Sequence, residues 1–446
     1  MLHKCTSLLT RSMAVALLLY VAASSADAQP AGQKWATTWA ASVHGPYPFG
    51  NPTAQPELKF AFPSSEAGAN DQTFRLIVRP DLWGERVRLR FSNAFGTKPV
   101  TFDGAYVGLQ ATGASLVPGS NRPVTFDNGK PAATVAPGQS IYTDPVALDY
   151  STTSGGLEGR KLAVSFHVGG ATGPMTWHAK ALQTSYVSPP GSGARGADEA
   201  DEVFPFTTTS WYFLDAVDVI APADTAVVVA FGDSITDGTG STINGDDRYP
   251  DALARRLHQA YADRVVIVNA GIGGNMVSAP AEYPGPTPWP GGPSAVSRLE
   301  RDVLSLSGVT HMVWMEGIND LGQKAGSHET VIAGYKAGIA QARARNIKVI
   351  GGTLTSSLNS TNASYGTPEV NAQRNLINEF IRTAGAFDGV ADFDAATVDP
   401  ATGELKAEYQ PNSSVGGPGD RLHPNRAGYQ AMAGAVDLKF LAPAGR

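Results

Sequence analysis

Hydrophobic and polar residues alternate over the first half of the chain, as in 87–91, VRLRF, where every second residue is apolar. Such alternation is typical of a strand with one buried and one solvated face. Clusters of Gly, Pro, Asn and Asp separate the runs, and no long helical periodicity occurs before about residue 222. The pattern predicts an all-β sandwich or jelly roll, with strands at 73–78, 86–91, 100–109, 140–148, 161–168, 176–187 and 211–220.

From residue 223 onward, short apolar runs alternate with amphipathic stretches. A continuous run such as 227–231, VVVAF, is typical of a strand that is buried on both faces. The alternation predicts an α/β domain with a doubly wound, flavodoxin-like parallel sheet. Its predicted strands are 227–231, 265–270, 311–315, 349–354 and 390–393, and its predicted helices are 250–261, 295–305, 329–345, 369–384 and 426–441. A Pro/Gly-rich insertion at 279–294 carries Tyr283 and Trp289.

The two patterns predict a β domain at 29–222 and an α/β domain at 223–446, with the boundary in 221–224, APAD. Residues 1–28 have the features of a secretory signal peptide: Lys4 and Arg11 precede an apolar run at 13–23, and small residues occupy 26–28. The apolar run is too short for a membrane anchor. We therefore expect a secreted protein, extracellular or periplasmic, that is cleaved between Ala28 and Gln29.

Charge and motif content exclude several classes of function. The formal net charge is −6 without long single-sign runs, so nucleic acid is not an expected partner. The single cysteine, Cys5, lies in the predicted signal peptide, which leaves the mature chain without disulfides or thiolate ligands. The chain has no HExxH, Gly-x-Ser-x-Gly or GxGxxG motif at the positions such motifs require, and the histidines of the β half belong to no constellation. We expect no metal and no cofactor.

Four short segments lie where a doubly wound sheet places its ligand, beyond the carboxyl ends of its strands. They are Gly232-Asp233-Ser234, the glycine-rich 269–275, the 317–320 segment GIND, and 420–424, DRLHP, before the last helix. Each alone reads equally well as an ordinary turn, and His423 alone as a histidine at a helix start. Their combination and order point to a shared site.

At these four segments the chain resembles the GDSL/SGNH hydrolase family, whose four blocks carry Ser, Gly, Asn and His. The resemblance extends from residue 227 to the C-terminus, and 86–96, RVRLRFSNAFG, resembles the β accessory domain of one secreted branch. It implies a serine ester hydrolase with Ser234 as nucleophile and with Asp420 and His423 completing a catalytic triad. It also implies that Asn319 and a glycine of the second block bind the oxyanion.

General chemistry supports the same roles. A serine hydroxyl needs a neighbouring base, which His423 can supply, and Asp420 can orient the imidazole. The Ser234 N–H, a glycine N–H and the Asn319 amide can form the oxyanion hole. By resemblance we prefer Gly274, which precedes a polar residue, and Gly273 is the alternative. Asp233 is expected to support its loop, and Glu316 to pair with a nearby donor.

The substrate is predicted from weaker signals. Tyr283 and Trp289 either offer aromatic surfaces to sugar rings or pack within their own loop. We expect short-acyl esters, such as acetyl groups on polysaccharides or on small molecules. One alternative is a lipase or phospholipase of the same family, and another is a non-catalytic carbohydrate-binding protein.

Overall fold

The computed structural model describes residues 31–151, 156–285 and 287–445. The predicted signal peptide at 1–28 lies outside the described residues. Within the described ranges, every helix is too short or too polar to cross a lipid bilayer.

The first half of the chain forms antiparallel strands. They are β1 Gln33–Ala40, β2 Gly45–Pro46, β3 Asn70–Val78, β4 Arg86–Ser92, β5 Val100–Thr112, β6 Ser115–Leu116, β7 Arg122–Pro123, β8 Ala132–Val135, β9 Ser140–Tyr142, β10 Val146–Ala147, β11 Leu162–Ala171, β12 Thr176–His178, β13 Ser185–Val187, β14 Phe206–Thr208, β15 Trp211–Tyr212 and β16 Leu214–Pro222, with a 3₁₀ turn at Asp149–Ser151.

Two of the antiparallel sheets face each other and confirm the all-β sandwich. One has the order β1-β16-β4-β10 with β9 beside β4, and the other has the order β14-β13-β3-β11-β5-β6 with β7 and β8 beside β5. Phe91 of β4 lies 5.0 Å, centroid to centroid, from Phe102 of β5 and 5.0 Å from Phe166 of β11. These aromatic rings fill the space between the sheets. A third, small sheet has the order β15-β12-β2.

The second half alternates strands and helices. Its elements are β17 Ala226–Gly232, α1 Ser234–Asp237, α2 Tyr249–Tyr261, β18 Val265–Gly271, α3 Ala295–Leu299, β19 Val309–Met315, α4 Ile318–Gly322, α5 His328–Ala344, β20 Lys348–Gly352, α6 Pro368–Thr383, β21 Gly389–Ala391, α7 Phe393–Thr397 and α8 Arg426–Gly434. A π turn at Glu300–Leu304 and 3₁₀ turns at Ala262–Arg264, Ala407–Tyr409 and Leu438–Leu441 accompany them.

The second half is built on a parallel sheet with the strand order β18-β17-β19-β20-β21. In chain order this is 2-1-3-4-5, the flavodoxin-like arrangement, which confirms the predicted fold class. The chain leaves β17 toward one neighbour and later returns on its other side. The resulting crevice at the carboxyl ends of β17 and β19 is the place where such sheets bind ligands.

The two halves are in close contact. Thr37 N–H donates to Ser307 O at 3.0 Å, and Ile267 N–H donates to Asp81 Oδ2 at 2.7 Å. One contiguous cluster of buried apolar side chains includes strands of both halves. The predicted boundary falls between β16, which ends at Pro222, and β17, which begins at Ala226. The division into two domains at 222/223 stays a prediction.

Several predicted elements differ in extent. The strand predicted at 140–148 is interrupted between β9 and β10, and that at 176–187 between β12 and β13. The strand predicted at 211–220 breaks at Phe213, whose φ is +59°. The last helix ends at Gly434, and a separate turn follows at 438–441, where the Asp437 carboxylate accepts from Lys439 N–H. β1 is absent from the predicted strands because six consecutive positions are buried and no alternation results.

Candidate active site

Ser234 stands at the carboxyl end of the central strand β17. The strand is buried along its whole length, and its last residue, Gly232, leaves no room for a side chain, since a Cβ would lie 2.3 Å from Met315 O. Asp233 then caps the short helix α1 by accepting from Ile235 N–H at 3.0 Å. Ser234 is therefore the first residue of a helix at the mouth of the sheet, where it is 7% exposed.

Three of the predicted side chains form a continuous chain of hydrogen bonds. Ser234 Oγ lies 2.8 Å from His423 Nε2, although the two residues are 189 positions apart. His423 Nδ1 lies 2.6 Å from Asp420 Oδ2. The other carboxylate oxygen, Asp420 Oδ1, accepts from the backbone N–H groups of Leu422 and His423 at 3.0 and 2.9 Å. The aspartate is thus held by its own turn while it orients the imidazole toward the serine.

The environment keeps Asp420 charged. Burial favours the neutral acid, but the hydrogen bond and charge of His423, together with two backbone N–H groups, outweigh it and hold the pKa of Asp420 well below its ordinary value. An ionised carboxylate at this position stabilises an imidazolium when one forms at His423.

In the glycine-rich segment after β18, the N–H groups on either side of Gly274 are engaged, whereas that of Gly274 has no partner among the described residues. Gly273 N–H donates to Asp237 Oδ2 at 2.8 Å, and Asn275 N–H donates to Ile272 O at 3.1 Å. Gly274 N–H has no acceptor in the part of the chain that the structure describes. Gly274 has φ +85°, a left-handed conformation that favours glycine. These contacts favour Gly274 over Gly273 as a donor to a ligand.

Asn319 lies beyond the end of β19 with its amide orientation determined by hydrogen bonds. Its Oδ1 accepts from the Tyr365 hydroxyl at 2.8 Å, and that hydroxyl accepts from Gln323 Nε2 at 2.7 Å. Its Nδ2 donates to Asn275 O at 2.8 Å, which leaves the second amide hydrogen available. No local sequence pattern indicates Tyr365, which reaches Asn319 only through the tertiary fold.

Buried carboxyl groups surround the base of the site. Burial raises the pKa of Asp233 to about 7 and that of Glu316 to about 8. Glu316 Oε2 accepts from Trp314 Nε1 at 3.0 Å, and its other oxygen lies 3.9 Å from the Arg298 guanidinium. Burial also raises the pKa of Asp320 to about 6, although its carboxylate accepts from Val277 N–H at 2.9 Å.

Arg298 is a buried scaffold residue that sequence reasoning missed. Its guanidinium donates to Gly232 O at 2.9 Å, to Ala270 O at 2.8 Å and to Asn275 Oδ1 at 2.7 Å. It therefore ties the ends of β17 and β18 to the glycine-rich segment. A signal was present in the sequence, because Arg298 and Asp302 form an i, i+4 pair on the apolar face of the predicted helix.

The β half also reaches the site. Asn51 Nδ2 donates to Gly273 O at 2.8 Å, and His178 Nε2 lies 3.2 Å from Asp237 Oδ1. Lys180 is buried, and its Nζ donates a hydrogen bond to Thr53 Oγ1 at 2.9 Å. Burial lowers the pKa of its ammonium group. The two partners of each contact are more than 50 positions apart in the sequence, so no local sequence pattern indicates that they meet.

The two aromatic residues of the insertion use their polar atoms on backbone carbonyls. Tyr283 Oη donates to His44 O at 2.5 Å, and Trp289 Nε1 donates to Gly274 O at 3.0 Å. Both side chains are half-buried. The expectation that they form an open surface for sugar rings stays a prediction. Across residues 31–151, 156–285 and 287–445, no group of His, Cys, Asp and Glu is arranged to hold a metal ion.

Residues 230–431 match the model of the GDSL-like Lipase/Acylhydrolase family. No curated protein matches the chain. Among solved structures, a carbohydrate acetylesterase family member from Sinorhizobium meliloti is similar at 16% identity, with 49% of this chain and 99% of that chain covered and a TM-score of 0.37. A member of the lipolytic protein G-D-S-L family from Veillonella parvula is similar at 20% identity, covering 47% and 96% with a TM-score of 0.33. A GDSL-like lipase from Bacteroides thetaiotaomicron is similar at 16% identity, covering 48% and 87% with a TM-score of 0.34.

Proposed function

We propose that this protein is a serine ester hydrolase that works through an acyl-enzyme, since residues 230–431 match the model of the GDSL-like Lipase/Acylhydrolase family. The hydrogen-bonded chain from Ser234 through His423 to Asp420 carries the proposal. The segments with Gly274, whose N–H has no acceptor among the described residues, and with Asn319 follow β18 and β19, the two neighbours of β17. A nucleophile, a base and donors for a developing charge are the parts that acyl transfer requires.

In the acylation step, Ser234 Oγ attacks the ester carbonyl carbon while His423 Nε2 takes the hydroxyl proton. The carbonyl oxygen becomes negative and accepts hydrogen bonds from Ser234 N–H, Gly274 N–H and Asn319 Nδ2. Collapse of the tetrahedral intermediate breaks the bond to the alcohol oxygen, which leaves with the proton held by His423.

In the deacylation step, a water molecule attacks the acyl carbon of the acyl-enzyme while His423 Nε2 takes a proton from it. The second tetrahedral intermediate collapses, the proton returns to Ser234 Oγ, and the acid is released. Asp420 keeps the imidazole in one tautomer and stabilises its protonated form throughout. No cofactor or metal takes part in this scheme.

The proposed substrates are short-acyl esters, acetyl esters first, on carbohydrates or small molecules. Asn51 and Lys180 of the β half lie against Gly273, and Lys180 Nζ donates to Thr53 Oγ1, so polar side chains border this segment. A Cβ built on Gly273 would lie 2.8 Å from Lys180 Cε, so the lysine occupies the space beside this segment. A long acyl chain would require an apolar groove instead.

Hydrolysis of p-nitrophenyl esters from acetate to palmitate, with acetylated xylan alongside, tests the activity and the acyl preference. We expect the highest kcat/KM on acetate and a steady fall beyond four carbons. A maximum at eight carbons or longer would favour the lipase alternative. Absence of hydrolysis with retained binding to xylan would favour the carbohydrate-binding alternative.

Variants of Ser234 and His423 test the mechanism. Ser234→Ala, His423→Ala and the double variant should lose similar activity, because nucleophile and base act as one unit. Full hydrolysis by Ser234→Ala would refute the proposal, and single losses that multiply in the double variant would refute the shared role.

The proposed function includes secretion. The N-terminal mass of the protein recovered from culture medium or periplasm should correspond to a chain that begins at Gln29. Recovery of the chain with residues 1–28 attached, inside the cell, would contradict export.

A further inference from the structure

Three consecutive carbonyl groups of the glycine-rich segment accept side-chain donors from three separate parts of the chain. Gly273 O accepts from Asn51 Nδ2 at 2.8 Å, in the β half. Gly274 O accepts from Trp289 Nε1 at 3.0 Å, in the insertion. Asn275 O accepts from Asn319 Nδ2 at 2.8 Å, beyond β19.

The first of these bonds determines where Gly274 N–H points. The carbonyl of Gly273 and the N–H of Gly274 belong to one planar trans peptide, so they point in opposite directions. A donor that holds Gly273 O therefore orients Gly274 N–H away from Asn51. In the same way, Trp289 holds the next peptide plane through Gly274 O.

Gly274 needs such support because glycine has the widest choice of backbone conformations. Its φ is +85°, and a Cβ would lie 2.8 Å from Asn51 Nδ2. The neighbouring N–H groups of Gly273 and Asn275 are already engaged by Asp237 and Ile272. Asn51 and Trp289 thus hold the peptide groups before and after Cα of Gly274. Of the residues 273–275, Gly274 is the one whose N–H lacks an acceptor among the described residues.

We propose that Asn51 and Trp289 are positioning residues that aim Gly274 N–H at the oxyanion of the reaction. The inference rests on the proposed ester hydrolysis and deepens it. It makes the β half and the insertion parts of the active site, because each supplies one of the two donors. Neither residue touches the reacting atoms.

Trp289→Phe removes one donor, and Asn51→Asp replaces a donor by an acceptor of nearly the same shape opposite Gly273 O. Trp289→Phe should lower kcat about three- to tenfold, the usual effect of one neutral hydrogen bond, and Asn51→Asp should lower it by at least this factor. KM should change less than twofold, because the donor acts in the tetrahedral state. The inhibition constant of a small alkyl boronic acid, which forms a tetrahedral adduct with serine, should rise by the same factor as kcat falls.

A matched control is Lys34→Met. Lys34 also belongs to the β half and donates across to a backbone carbonyl, Gly308 O at 3.3 Å, but before the start of β19 rather than at the site. The kcat of the Lys34→Met variant and its affinity for the boronic acid should equal those of the unaltered enzyme. A loss like that of Asn51→Asp would show that any contact between the halves has the same effect and would overturn the positioning role.

The remaining outcomes separate this inference from the proposed function. Unchanged kcat and boronic acid affinity in Asn51→Asp and Trp289→Phe, with Ser234→Ala inactive, would overturn the positioning role alone. So would a Trp289→Phe variant that loses activity on acetylated xylan but not on p-nitrophenyl acetate, since the indole would then contact substrate. Full hydrolysis by Ser234→Ala would instead refute the ester hydrolase mechanism.

Discussion

Single residues of the candidate site carry several hydrogen bonds each, and their chemical roles follow from which atoms remain available. The Asn319 side chain is buried, with 4% of the residue exposed. Its Oδ1 accepts a hydrogen bond from the Tyr365 hydroxyl, and its Nδ2 donates one hydrogen to Asn275 O. The second hydrogen is the only donor of this side chain that is left for a ligand. Asn319 therefore serves both as a structural link and as a proposed oxyanion donor.

Asn319→Ala should lower kcat about 100- to 1,000-fold, roughly 3–4 kcal/mol, because one preorganised oxyanion donor is lost. KM should change little, since the interaction strengthens only as the oxyanion forms. Asn319→Asp should be at least as damaging, because it replaces a donor by an acceptor. Melting temperature and kcat are measured on one preparation, and a large stability loss with kcat within about threefold would reduce Asn319 to a structural role.

Glu316 makes stability depend on pH. Burial raises its pKa to about 8 in the folded protein from an ordinary value of 4.5. Between these values the folded state keeps a proton that the unfolded state has lost, so stability falls as pH rises through this window. Glu316→Gln should reduce that fall, by at most about 1.4 kcal/mol per pH unit.

Urea unfolding at pH 5, 6.5 and 8 checks the prediction for Glu316. The exposed Glu66 offers a control, since Glu66→Gln should keep the pH dependence of the unaltered protein. Equal slopes in the Glu316→Gln variant and the unaltered protein would show that this carboxyl group is already ionised at neutral pH in the fold.

Among the elements, α3 contributes more to the site than its five residues suggest. Arg298, on its buried face, donates to carbonyl groups at the ends of β17 and β18. It also pairs with Asp302 at 3.1 Å. The helix thereby holds the strand ends that carry Ser234 and the glycine-rich segment at a constant separation.

Arg298→Met should destabilise the protein by about 3–5 kcal/mol, because three buried acceptors, Gly232 O, Ala270 O and Asn275 Oδ1, lose their donor and Asp302 loses one of its two cations. The surface pair of Arg345 and Glu300, whose side chains are 52% and 58% exposed, offers the control. Arg345→Met should change the free energy of unfolding by less than about 1 kcal/mol. Comparable losses in the two variants, measured by urea unfolding, would contradict the scaffold role of Arg298.

At the scale of the whole molecule, the two halves share one core and one site. Ser307 N–H donates to Thr37 Oγ1 at 2.9 Å while Thr37 N–H donates to Ser307 O at 3.0 Å. Asn51 and His178 reach the glycine-rich segment and α1 at the opposite end of the parallel sheet. The contacts therefore run along the full length of the strands.

The two halves should unfold in one cooperative transition, with equal calorimetric and van't Hoff enthalpies. A fragment beginning at residue 223 would expose the apolar surface that β1 covers, so it should aggregate or remain largely unfolded. A chain cut at 222/223 by an inserted protease site, with its halves still associated, should keep its activity. Two separate transitions, or a stable and active 223–446 fragment, would show that the halves fold independently.

The class of each half and the positions of the four candidate site segments follow from the sequence alone. Apolar alternation and continuous apolar runs report which faces of a strand are buried, and both halves have the predicted class. Ser234 and Asn319 could be predicted as site residues because parallel strands bring their carboxyl ends to one edge of the sheet, and His423 because its segment precedes the last helix and resembles the fourth family block. The interruption of the predicted strand 140–148 between β9 and β10 could not be predicted, because it depends on contacts outside the local pattern.

Which groups meet across long separations in the sequence depends on the tertiary fold. Asn51, Lys180, Trp289 and Tyr365 reach the site through contacts whose partners lie elsewhere in the chain, so no local spacing indicates them. The availability of Gly274 N–H follows likewise from the partners of its neighbours, Gly273 and Asn275. Hydrogen-bond direction depends on the orientation of each peptide plane and amide, and these orientations exist only once both halves have packed together.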